Sequence, residues 1–263
     1  MKPILNNALS AARQASKIIL HKFDRLDTIK ISEKGHNDFV TEVDQAAERV
    51  IIETLKDIYP EHSFLGEESG QSDGDPDALW IIDPLDGTTN FIHGIPHFCI
   101  SIAFQEKGKV QHGLIYDPIR QELFSASRGE GARLDNRRLR VSNCSKLDQA
   151  LIGTGFPAKQ THQINHYLKT FEAIFPKTRG IRRGGSAALD LAYVAAGRLD
   201  GFWELSLKPW DVAAGVLMIQ EAGGLVGDVL GQTDYLQHGS IVAGNSKIFK
   251  GIVKTLNPIV KEG

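Results

Sequence analysis

Apolar residues recur at helical spacing over the first part of the chain: Ile4, Leu5, Ala8, Ala12, Ala15, Ile19 and Phe23 mark an opening amphipathic helix. A loop is expected around Lys34-Gly-His-Asn-Asp38. A second helix should run from about Glu42 to Tyr59, burying Val43, Ala46, Ala47, Val50, Leu55 and Ile58, until Pro60 stops it. The period then changes. Ser63-Phe-Leu-Gly66 and Leu79-Trp-Ile-Ile-Asp83 are short apolar runs between turn residues, the pattern of buried strands. Residues 99–104, 110–116 and 122–126 read as an antiparallel series. Beyond about residue 145, strands (150–154, 201–203, 241–243) alternate with helices (164–175, 186–196, 210–222), and a C-terminal helix closes the chain. This order predicts layered α and β in two lobes, residues 1–145 and 146–263, within one compact unit.

Composition narrows the class. Lys and Arg number 30 against 32 Asp and Glu, so the near-neutral chain has no electrostatic footprint for nucleic acid. The run Arg179–Arg183 is a possible local basic patch. Cys99 and Cys144 are too few for a disulfide scaffold and are expected as free thiols. No apolar stretch approaches the roughly 20 residues that span a bilayer, and no signal peptide is visible. A cytoplasmic protein is expected.

The acids collect at distinctive places. In Trp80-Ile-Ile-Asp-Pro-Leu-Asp-Gly-Thr-Thr-Asn90 an apolar strand ends at Asp83, and Pro84 keeps that residue out of helical geometry. Asp86 follows, and Gly87 permits a tight turn before Thr88. Two carboxylates and the Leu85 carbonyl make an oxygen set suited to Mg²⁺, while the Gly87 and Thr88 amides can hold an anion. A solvated Asp-Pro, Asp-Gly turn would look the same by itself. Glu67 and Glu68 follow a short strand and could be an ordinary acidic loop. Asp211 opens a helix after Pro209, where an acid also suits the helix dipole. Asp44 stands in Thr41-Glu-Val-Asp44, a capping-box pattern.

Gly66-Glu-Glu-Ser69, the segment 80–90 and Trp210-Asp-Val-Ala-Ala-Gly215, in that order, resemble the three signatures of the inositol monophosphatase family. Val40–Asp44 and Gly185-Ser-Ala-Ala-Leu189 match two further segments, the latter resembling the bacterial inositol-1-monophosphatase branch. The likeness runs from about residue 5 to 255. It implies an αβαβα sugar-phosphatase fold, usually dimeric and lithium-sensitive. It also implies two or three Mg²⁺ held by Glu67, Asp83, the Leu85 carbonyl, Asp86 and Asp211. By the same resemblance Glu67, Thr88 and Asp44 serve catalysis, with Thr88 paired to Asp44 beside the attacking water. Asp86, Gly87, Thr88, Gly185, Ser186, Ala187 and Glu204 contact the substrate, and Lys34 contributes from a loop. The implied reaction is hydrolysis of a small polyol phosphate, inositol-1-phosphate first among them.

Other readings share these motifs. Fructose-1,6-bisphosphate, 3′-phosphoadenosine phosphate, NADP and histidinol phosphate are substrates of the same fold. The bacterial branch also includes members linked to RNA polymerase and ribosomal RNA transcription, so an accessory protein on a phosphatase fold is a distinct alternative. His93 and His97 stand four apart, but Pro96 argues against one helix presenting both to a metal. Gly129-Glu-Gly131 lacks the third glycine of a dinucleotide fingerprint. Gly223-Gly224 reads as a helix stop.

Overall fold

A computed structural model describes the chain apart from residues 30, 36, 37, 158–160, 234, 236–238, 262 and 263. Helix α1 (Pro3–Phe23) starts with proline at its first position, where the missing N–H is not needed. It buries Leu5, Ala8, Ala12, Ala15 and Ile19. Its small alanines let it lie closely against α2 (Glu42–Lys56), whose start is fixed by the Thr41–Asp44 capping box. Between them Lys34, Gly35 and Asp38 of the expected loop lie on two antiparallel strands, β1 (Ile31–Gly35) and β2 (Asp38–Thr41), and its His36 and Asn37 lie outside the described residues. Helix α2 also ends earlier than its apolar spacing suggested, with Asp57 as its C-cap.

The next strands are β3 (His62–Gly66), β4 (Gly70–Gln71) and β5 (Asp75–Asp86). After a short α3 (Thr88–Ile92) come β6 (Cys99–Glu106), β7 (Lys109–Asp117), β8 (Glu122–Ser127), β9 (Gly131–Leu134) and β10 (Arg137–Arg138). Among the described residues they form one sheet of order β10-β9-β8-β7-β6-β5-β3-β4. Strand β3 pairs with β5 in parallel, and β5 to β9 are antiparallel meanders. The β9–β10 hairpin was not anticipated: its strands are short and three of its six residues are arginine, so no apolar run announces it.

The second sheet comprises β11 (Leu151–Thr154), β12 (Gly180–Arg182), β13 (Gly201–Glu204), β14 (Leu225–Gly227) and β15 (Ile241–Gly244) in the order β12-β11-β13-β15-β14. Helices α4 (Ile164–Ile174), α5 (Ala187–Ala195), α6 (Pro209–Glu221) and α7 (Ser246–Lys261) complete the chain. Helix α6 ends at Ala222, and Gly223 follows with φ +87°, the stop that the glycine pair predicted.

The layers follow from the contacts. Helices α1 and α2 cover one face of the first sheet, α5 and α6 lie between the two sheets, and α4 and α7 cover the outer face of the second. This is the αβαβα sandwich. Strand β5 is thereby covered on both faces, which is why residues 80–85 are all buried rather than alternating.

Candidate active site

The C-terminal end of β5 opens into a cavity of about 310 Å³. Glu67, Asp83, Leu85, Asp86, Gly87 and Thr88 line one side. Gly185, Ser186, Ala187, Asp190, Glu204 and Asp211 line the other. All these residues except Asp190 were expected there. Asp44 lies behind Thr88, buried. Lys34 lies on β1, and its side chain is outside the described residues.

Asp83 is 1% exposed, and its Oδ1 accepts from the Leu85 amide at 3.0 Å. Burial pushes its carboxyl well above the ordinary range, and the negative charges of Glu67, Asp86 and Asp211 push the same way. Gly87 turns the chain with φ +104°. A Cβ there would stand 2.9 Å from the His97 carbonyl, so only glycine suits both the angle and the space. Thr88 Oγ1 lies 2.9 Å from Asp44 Oδ1 and 3.0 Å from the Leu85 carbonyl. Asp44 Oδ2 accepts from the Thr41 amide and hydroxyl at 2.8 and 2.5 Å. The capping role and the Thr88 contact thus use different oxygens of one carboxylate. Burial outweighs these bonds and raises the Asp44 carboxyl above its usual value.

Glu67 sits in the turn after β3, its amide bonded to the Ile82 carbonyl at 3.2 Å. That turn is held by a residue the motif reading missed. Glu48 of α2, 2% exposed, accepts from the Glu68 and Ser69 amides at 2.9 and 2.7 Å. A Cβ on Gly66 would meet Glu48 Oε2 at 2.4 Å, which explains the glycine that opens Gly66-Glu-Glu-Ser69.

On the facing wall, Asp86 Oδ2 accepts from Ser186 Oγ and the Ala188 amide, both at 2.7 Å, and so sits at the start of α5. Asp211 Oδ2 accepts from the Lys208 amide at 2.6 Å. Glu204, half-buried at the end of β13, packs against Gly155, where any Cβ would overlap its carboxylate. Burial first, then Asp211, Asp190 and Asp86, push its carboxyl well up, against the pull of Arg183. Asp190, 4% exposed, is pushed up to about 8 by burial and by Asp86. Cys99 is buried beside Asp86 and Ser186, and both cysteines are free thiols. His93 caps the end of α3 and His97 lies four residues on in the loop before β6, so no helix presents the pair.

As placed, Asp83, Asp86 and Asp211 each accept hydrogen bonds from the protein. Among the described residues no group of three or more His, Cys, Asp or Glu side chains stands ready to hold a metal ion. Among the same residues no helix is long and apolar enough to cross a membrane.

Comparison with known proteins fits this geometry. The inositol monophosphatase family model matches residues 1–261. The Nus factor SuhB of Pseudomonas aeruginosa is 54% identical over 263 residues, covering 98% of this chain and 97% of its own. The crystal structure of the extragenic suppressor protein suhB from Bartonella henselae superposes with TM-score 0.94 at 43% identity, over 97% of this chain and 98% of that one. The inositol monophosphatase from Anabaena (Nostoc) superposes with TM-score 0.87 at 39% identity, over 97% and 95%. The chain therefore belongs to the inositol monophosphatase family.

Proposed function

We propose that this chain hydrolyses the phosphate monoester of a small polyol in a Mg²⁺-dependent reaction, with inositol-1-phosphate the first substrate to test. One observation carries the reading: the buried Asp83 is surrounded by negative charges, Glu67, Asp86 and Asp211, within reach of a threonine hydroxyl already bonded to a second buried acid. An all-oxygen, carboxylate-rich set suits Mg²⁺. Glu67, Asp83, the Leu85 carbonyl, Asp86 and Asp211 would hold it, exchanging their present protein bonds for cation contacts. When bound, Mg²⁺ supplies Lewis-acid charge that makes water a usable nucleophile and offsets charge on the phosphoryl group.

The chain's own groups do the rest. Thr88 Oγ1, donating to Asp44 Oδ1, keeps a lone pair for the attacking water. The water proton passes to Thr88 Oγ1 as the threonine proton passes to Asp44 Oδ1. Burial gives Asp44 the raised proton affinity such a step needs. The water oxygen bonds to phosphorus as the bond to the ester oxygen breaks; the departing alkoxide takes a proton from solvent to become the alcohol, and Asp44 returns its proton to solvent. The Gly87 and Thr88 amides steady the phosphoryl oxygens. Gly185, Ser186, Ala187 and Glu204 receive the alcohol, and Lys34 contributes from β1. The active form is a homodimer in the cytoplasm, inhibited by millimolar Li⁺.

The names of the relatives favour a second reading over a dedicated inositol-1-phosphate phosphatase: a Nus-type accessory role in transcription, carried by the same fold. The two are compatible on one chain. Phosphate release is measured across inositol-1-phosphate, fructose-1,6-bisphosphate, 3′-phosphoadenosine phosphate, NADP and histidinol phosphate, with chelation and Mg²⁺ readdition. A pull-down with RNA polymerase runs alongside. Turnover of inositol-1-phosphate that chelation abolishes supports the first reading. Salt-resistant polymerase binding with no turnover would leave the second alone.

A further inference from the structure

Asn90 ends the acid motif, and neither a metal nor a substrate role was assigned to it. It is 6% exposed and lies in α3, just past Thr88. Its Nδ2 donates to the His97 carbonyl at 2.8 Å and to the Gly184 carbonyl at 3.0 Å. Both partners are acceptors only, so the amide nitrogen, with its two hydrogens, must face them. The backbone carbonyl of Asn90 accepts from the Ile95 amide at 2.8 Å. One residue thus closes the loop 91–97 and reaches across 94 residues to the far wall.

Its two carbonyl partners are neighbours of the two halves of the cavity. The His97 carbonyl is the atom that packs against Gly87, which lines the cavity. Gly184 precedes the wall residues Gly185, Ser186 and Ala187. Gly185 has φ +89°, and a Cβ there would stand 2.6 Å from an Arg183 guanidinium nitrogen and 2.9 Å from Asn90 Nδ2, so the loop passes close against the Asn90 side chain. Asp86 also bonds corner to wall, through Ser186 Oγ and the Ala188 amide, but its carboxylate belongs to the proposed metal set. The Asn90 bonds are neutral and stay available whatever the metal set does.

We propose that Asn90 is a positioning residue that fixes the alcohol-side loop 184–187 relative to the phosphate corner, and so sets selectivity for the alcohol part of the substrate. The selectivity half rests on the polyol-phosphatase reading; the tie itself does not.

Asn90→Asp keeps the shape but turns a carboxylate toward two carbonyl oxygens. Hydrogen exchange of the Gly185 and Ser186 amides should quicken about tenfold or more, as one lost bond of this kind predicts. Amides within β5 should be unchanged. KM for inositol-1-phosphate should rise about tenfold, while kcat, and both constants for p-nitrophenyl phosphate, stay within about threefold. Asn90→Ser, with one donor left, should fall between, and it decides the matter if Asn90→Asp does not fold. Unchanged exchange at 184–186 in a folded variant overturns the tie. Equal losses on both substrates overturn the selectivity role. If the wild type releases phosphate from no monoester, the phosphatase reading fails, and the exchange result alone decides whether Asn90 is the tie.

Discussion

At the end of β5 the groups Asp83, Leu85, Asp86, Gly87 and Thr88 come from one unbroken stretch. The facing wall gathers Gly155, Gly185–Ala187, Asp190, Glu204 and Asp211 from separate segments. The corner is braced from outside the cavity by α2, through Asp44, and Glu48 of the same helix holds the adjoining turn that carries Glu67. The wall is braced by packing between the second sheet and α5 and α6. A contiguous, doubly supported corner suits chemistry common to every phosphate monoester. A composite wall can change residue by residue without disturbing that chemistry, and it is the natural seat of selectivity.

The sharpest way to break this division is at Asp83. Asp83→Asn should lower kcat by about three orders of magnitude or more, roughly 4 kcal/mol, on every substrate alike. Folding must either bury that carboxylate among three acids or take up a proton to neutralise it, and Asn bears neither cost, so the melting temperature in Mg²⁺-free buffer should rise. Kinetics and thermal melts on one preparation check both. Near-normal turnover, or selective loss on one substrate, would move the chemistry away from the corner.

The brace comes next. Glu48→Ala leaves the Glu68 and Ser69 amides without their acceptor; a buried orphan costs about 1–3 kcal/mol, while the amide of the exposed Ser69 can turn to water. Urea melts should show a loss of that order, with weaker Mg²⁺ dependence of turnover because Glu67 lies in the same turn. Gly66→Ala should behave alike, since its Cβ would displace the Glu48 carboxylate. A variant at wild-type stability would show that the turn stands without α2.

These two sites also show how far sequence reading reaches. The corner was legible because its groups are neighbours in the chain and because proline and glycine announce the turn. The helices of both halves were legible through their apolar spacing, and the middle strands through short apolar runs. Glu48 was not, although a signal existed: it stands one turn beyond Asp44 on the stripe that carries Ala47, Ile51 and Leu55 into the core, a place where an acid needs a partner. Asp190 was hidden in the same way among Ala188, Leu189, Leu191 and Ala192. Gly155 and the Gly184 carbonyl gain their meaning only from the strand order β12-β11-β13, which no local pattern encodes.

On the wall, Glu204→Gln should separate substrates. The carboxylate faces the cavity beside Asp211 and can accept from ring hydroxyls. Its loss should weaken inositol-1-phosphate turnover by a few-fold to about a hundredfold, with little change for p-nitrophenyl phosphate. Equal loss on both would assign Glu204 to the metal set.

The last expected effect is a pH-dependent one on stability, at Asp190. Burial, then the Asp86 charge, push this carboxyl up to about 8 against the pull of Arg183. In the unfolded chain it releases its proton near pH ~3.9. Between these values the folded state binds more protons than the unfolded one, so stability from this group falls as pH rises and levels off above about 8. Asn cannot lose the proton, so Asp190→Asn should match the wild type near pH 4, melt progressively higher than it up to about pH 8, and keep a constant margin above that. Melting curves across that range in Mg²⁺-free buffer decide the point. Parallel curves for the two proteins would mean that Asp190 ionises in place without penalty, and that this part of the wall is wetter than its 4% exposure implies.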